Sequence, residues 1–68
     1  MSIYSAVKEI AETKKVSIYK IEKDLGFSHG LIGKWNKSDP SISKMQMVAD
    51  YLDVTIGFIL IKAKEGRK

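Results

Sequence analysis

Apolar residues return at three- and four-residue intervals along most of this chain. Ile3, Val7, Ile10 and Ala11 form one stripe, with Ser2 before it as a candidate N-cap, and the spacing predicts a helix from about Ile3 to Lys14. Lys14 and Lys15 fall at its C-terminal end, where cations suit the helix dipole. A second helix is expected over about Ile18–Leu25, capped by Ser17, with Ile21 and Leu25 turned inward and Val16 just outside. Gly26 follows as a left-handed terminator. Lys20 and Asp24 are placed to pair weakly across one turn.

A third helix is expected to start at once. Ser28 is its candidate N-cap, and Phe27 and Ile32 stand where a hydrophobic staple needs them. It should run to about Asn36 with Ile32 and Trp35 inward, His29, Gly30, Gly33 and Lys34 largely outside, and Leu31 ambiguous. Lys37-Ser38-Asp39-Pro40 carries turn chemistry. A fourth helix, capped by Ser41 or Ser43, reaches about Leu52 on the stripe Met45, Val48, Ala49 and Leu52, leaving Met47 half exposed. After the break at Asp53-Val54-Thr55, Thr55 can cap a short fifth helix, Ile56 to Ile61. No strand-like alternation or internal repeat interrupts this pattern. The fold class expected is all-α, a compact bundle of four to five helices over residues 1–61, with 62–68 as a basic tail or the start of a linker.

Composition narrows the possibilities. The chain has 68 residues, 44% apolar and 29% charged, with no cysteine. That excludes disulfides and Cys-based metal centres and leaves room for one domain only. The apolar fraction is too high for a disordered tail. No apolar run approaches the roughly 20 residues a bilayer requires, and the start lacks the pattern of a signal peptide. The expectation is an intracellular, cytoplasmic chain without a membrane partner. It is also a domain without a staple, in a size range where small domains are marginal.

The net charge of +4 matters less than its placement. Residues 14–37 hold six lysines against Glu22 and Asp24, whereas residues 1–13 and 38–60 are each slightly acidic and the tail is basic again. A basic middle segment favours a polyanion.

The same segment contains two short helices joined by Gly26-Phe27-Ser28, a helix-turn-helix arrangement. Ile21, Leu25, Ile32 and Trp35 would bury the inner side and leave the outer side of the second helix free to enter a groove. That outer side carries Gly30 and Gly33, each costing about 1 kcal/mol of helix propensity relative to alanine, and glycine permits close backbone approach. Beside them stand His29 and Lys34, able to reach base edges or phosphate. Ser17 and the free N–H groups at the start of the second helix suit a phosphate, with Tyr19 and Lys20 close by.

The run Ser17–Lys37, together with Pro40-Ser41-Ile42 and Val48-Ala49-Asp50-Tyr51-Leu52-Asp53-Val54, resembles the Cro/C1-type, phage-repressor-like helix-turn-helix family over about residues 3–61. The resemblance implies a lambda-repressor-like DNA-binding domain whose helix at about 28–36 lies in the major groove. It implies base-facing positions at His29, Gly30, Leu31, Gly33 and Lys34, and phosphate-contacting positions at Ser17, Ile18, Tyr19, Lys20, Ser28, Asn36 and Lys37. Leu31 and Ile18 stand where the family commonly has polar residues. Readout would therefore lean on thymine methyls, backbone approach and DNA shape.

The function expected is a sequence-specific double-stranded-DNA-binding transcriptional regulator, a repressor, without cofactor, metal or small-molecule substrate. One histidine and no cysteine offer few nucleophile–base pairs, so catalysis is not expected. Ile56, Phe58, Ile59, Leu60 and Ile61 are too many apolar residues for one buried face, and they suggest a homodimer through the last helix. The alternative is a protein-interaction module that kept the fold without base readout, such as an antirepressor or antitoxin-like adaptor.

Overall fold

A computed structural model describes residues 2–65. Four α-helices and one 3₁₀ helix follow one another: α1 Ile3–Thr13, α2 Ile18–Leu25, the 3₁₀ helix Ile32–Asn36, α3 Ile42–Leu52 and α4 Ile56–Glu65. No strand occurs among the described residues, so the fold is all-α. α1 packs on α4 and on the 3₁₀ helix, and α3 packs on α2 and α4.

Each α-helix starts on a hydroxyl. Ser2, Ser17 and Ser41 accept the N–H of Ser5, Lys20 and Lys44 respectively, and Thr55 accepts that of Phe58. These side chains satisfy donors that a helix start leaves without partners. Of the two candidate caps for α3, Ser41 makes the bond.

The ends of α1, α2 and α3 also repeat. Lys15, Gly26 and Asp53 adopt positive φ, at 60°, 74° and 61°. The next residue then donates its N–H to the carbonyl five positions back: Val16 to Ala11, Phe27 to Glu22 and Val54 to Ala49. This is the Schellman geometry. Val16, Phe27 and Val54 all pack against the core. Glycine is the residue type this conformation favours most, aspartate is tolerated there, and lysine gives no such signal.

The core is continuous. Ala6, Val7, Ile21, Ile32, Val48, Ala49 and Ile59 are fully buried, and Ile3, Ile10, Ala11, Trp35, Met45, Leu52 and Ala63 nearly so. Trp35 meets Phe27 edge-on at a ring separation of 6.3 Å. Met45 is buried and Met47 is 40% exposed, as their positions on the helix require.

Two expected elements differ. The helix expected from Ser28 to Asn36 is a turn followed by the 3₁₀ helix Ile32–Asn36. Ser28 caps nothing there, because Gly30 takes φ +91° and a carboxylate from α2 satisfies the donors instead. The last helix, expected to end at Ile61, continues to Glu65. Ala63 lies one turn beyond Ile59 and extends its buried row, which carries the helix through Lys62 and Lys64. The basic tail expected at 62–68 is therefore helical at its start, and residues 66–68 lie outside the described residues. No helix among the described residues is long and apolar enough to cross a membrane.

Candidate nucleic-acid interface

The segment between α2 and the 3₁₀ helix is organised by Glu22. This residue lies one position after Ile21 and three before Leu25, inside the inward arc of α2, and is only 3% exposed. Its two carboxylate oxygens accept the N–H of Gly30 at 3.0 Å and of Ile32 at 2.9 Å. A buried carboxylate is tolerable when charge-assisted hydrogen bonds replace its hydration, and here both oxygens are engaged. The effect is to fix the backbone of residues 30–32 against α2, with Ile32 in the core and the tip of the turn outward.

His29 is at that tip, with 82% of its side chain exposed. Its Nδ1 lies 3.8 Å from the Glu22 carboxylate, and its ring meets that of Tyr19 edge-on at 5.6 Å. Tyr19, Glu22, Lys23, Phe27 and His29 together line a shallow, open depression. Gly30, Gly33 and Lys34 are exposed and Leu31 is half-buried. A Cβ built on Gly30 or Gly33 meets nothing within 4 Å, so both backbones are open to an approaching surface.

The positions expected to touch phosphate separate into three groups. Ser17, Tyr19 and Lys20 are exposed at the start of α2, and Ile18 is half-buried against the core. The Ser17 hydroxyl is engaged as the cap. Lys20 is engaged with Asp24, Nζ to Oδ2 at 3.1 Å. Asp24 also accepts the Tyr51 hydroxyl at 2.5 Å, which joins α3 to α2. The Tyr51 hydrogen bond and then that of Lys20 hold the Asp24 carboxyl below its ordinary value. The same contacts with Asp24 raise Tyr51 and Lys20. Ser28 and Lys37 are exposed. Asn36 Oδ1 accepts the Ser2 hydroxyl at 2.8 Å, which ties the end of the 3₁₀ helix to the start of α1.

Lys14, Lys15, Lys20, Lys23, Lys34 and Lys37 are all exposed, while the Glu22 charge is buried behind His29. The basic excess of this segment is therefore presented at the surface.

The last helix requires a correction. Ile59, expected on an outward interface, is fully buried in the chain's own core, and Ile56 is half-buried against it. Phe58, Leu60 and Ile61 remain outside, at 48%, 42% and 56% exposure. Leu60 faces a groove shared with Ile3, Trp35 and Ala63, whereas Phe58 lies beside Ile10, Thr13 and Val54. Lys62 on this helix pairs with Glu9 of α1 at 2.9 Å.

No family model, curated protein or solved structure matches the chain.

Glu22 is the residue that reading the sequence passed over, counted only as a charge. The signal was present: a carboxylate within the apolar arc Ile21–Leu25 needs donors, and a glycine-containing turn nearby supplies them.

Proposed function

We propose that this chain is a sequence-specific, double-stranded-DNA-binding transcriptional regulator of the helix-turn-helix, lambda-repressor-like type, acting as a repressor. The observation that carries the reading is the exposed set His29, Gly30, Gly33 and Lys34, on one short segment tied to α2 by the buried Glu22 carboxylate, within a stretch of chain whose six lysines are all exposed. Lys34 and His29 offer donors to base edges, and the two glycines let backbone approach the groove floor. The lysines at 14, 15, 23 and 37 supply phosphate contacts that fix register without reading sequence. The first turn of α2 adds backbone N–H groups for a phosphate. Phe58 and Ile61 form the surface through which two copies associate, so that two reading segments meet half-sites about 34 Å apart.

One observation favours a second reading, a protein-interaction module. The reading segment is a turn and one short 3₁₀ helix with two glycines, and so carries few side chains for base recognition.

Selection of bound fragments from random duplex DNA separates the two. Regulator function predicts an enriched sequence with two-fold symmetry, and Lys34→Ala should weaken binding to it by about 1–3 kcal/mol. Recovery of unenriched sequence alone would favour the second reading.

A further inference from the structure

Tyr19, Glu22 and Lys23 are three and four residues apart and share one face of α2. Because Glu22 ties residues 30–32 to that helix, the turn carries His29 over the same face. The rings of Tyr19 and His29 meet edge-on at 5.6 Å. With Phe27 and Lys23 they border an open depression of about 200 Å³, in which Glu22 is the most buried lining residue. Tyr19 still leaves 58% of its surface exposed. We infer, on the basis of the proposed function, that Tyr19 and His29 form a receptor for the 5-methyl group of a thymine. Tyr19 then sets sequence specificity from outside the reading segment.

The chemistry of the depression selects among the groups that duplex DNA presents. The family resemblance places Tyr19 at a phosphate. A phosphate seated between these rings would face the Glu22 carboxylate, whose Oε1 lies 3.8 Å from His29 Nδ1. Like charges repel most where one of them is buried. A neutral, apolar group meets no such penalty and gains contact with two ring surfaces. Thymine alone among the four bases carries a methyl group at the major-groove edge. Cytosine offers an amino donor there instead, but both Glu22 oxygens already accept backbone N–H groups. Lys23, exposed at the rim, is left for the flanking phosphates. Gly30 and Gly33 bring no side chains to the reading segment, and Tyr19 supplies one from α2.

The test measures binding of the full chain to the duplex selected from random DNA, with each thymine replaced in turn by uracil, which lacks only the 5-methyl group. At one position in each half-site, uracil should weaken wild-type binding about fourfold, the worth of one buried methyl group. Tyr19→Ala should weaken binding to the thymine duplex by a similar factor and make thymine and uracil equivalent at that position. His29→Ala, which removes the other wall, should do the same. Tyr19→Phe keeps the ring and should retain the fourfold preference. If uracil weakens wild-type binding at no position, or Tyr19→Ala leaves the preference intact, the inference is overturned and the proposed function stands. Loss of the preference in Tyr19→Phe would assign the contact to the hydroxyl and overturn it as well. Absence of binding to any duplex would defeat the proposed function and the thymine receptor with it.

Discussion

The carboxylate of Glu22 in α2 accepts the backbone N–H of Ile32, ten residues on, at 2.9 Å in the protein interior. With the bond from Gly30 it lets one side chain tie the backbone of residues 30–32 to α2. Glu22→Ala leaves both N–H groups without that acceptor, and the Ile32 group has no access to water. A loss of about 3 kcal/mol is expected, from charge-assisted bonds worth about 1.5–3 kcal/mol each. Glu22→Gln keeps one acceptor and should lose less. Urea unfolding of the variants checks the order.

A second link between elements, Tyr51 to Asp24, predicts a pH dependence. The Asp24 carboxyl is held below its ordinary value, first by the Tyr51 hydroxyl and then by Lys20. Its contribution to stability is therefore present above the ordinary aspartate range and disappears as pH falls through the lowered value. Tyr51 and Lys20 are raised by Asp24, so theirs are present below their ordinary values and vanish as pH rises through the raised ones. Thermal melting of the wild type and Tyr51→Phe should differ most between about pH 5 and 9 and converge toward both extremes. The group is exposed, and salt should shrink the difference.

Much of the fold was legible because its devices are local. Ser2, Ser17, Ser41 and Thr55 each precede an apolar stripe, and Gly26 is of the residue type its φ demands. The left-handed ends at Lys15 and Asp53 were hidden, since lysine gives no signal of positive φ and aspartate, though enriched there, is far commoner elsewhere. Residues 28–31 form a turn instead of a helix for a different reason. Ser28 has the local chemistry of a cap, but Glu22 offers the same donors a stronger acceptor from another helix, and that competition is tertiary. Of the candidate site, the exposed residues were legible from their place off the apolar stripe. The carboxylate that positions them was not.

Those left-handed ends give a stability prediction. A side chain in this conformation costs about 1 kcal/mol or more that glycine avoids. Lys15→Gly and Asp53→Gly should each raise the melting temperature by about 4–8 °C, the shift expected for about 1 kcal/mol in a domain of this size. Gly26→Ala should lower it by a similar amount.

The last helix separates stability from association. Ile59 is fully buried, so Ile59→Ala should lose about 2–5 kcal/mol in urea unfolding. Phe58 and Ile61 are exposed, and Phe58→Gln with Ile61→Gln should change monomer stability by about 0.5 kcal/mol or less each. If two copies associate as proposed, sedimentation should then show that dimer giving way to monomer. A wild-type chain that stays monomeric at tens of micromolar, with duplex DNA present, would remove the proposed interface.

Whether this chain binds duplex DNA through its lysines is tested most directly by the salt dependence of binding to the selected duplex, for the wild type and Lys37→Ala. Lysines that neutralise phosphates release counterions, so log K should fall linearly with log salt, and loss of one such contact should reduce the slope by about 0.9. A steep line is expected for the wild type and a shallower one for the variant. Binding that does not change with salt, or no binding to any duplex at low salt, would contradict it.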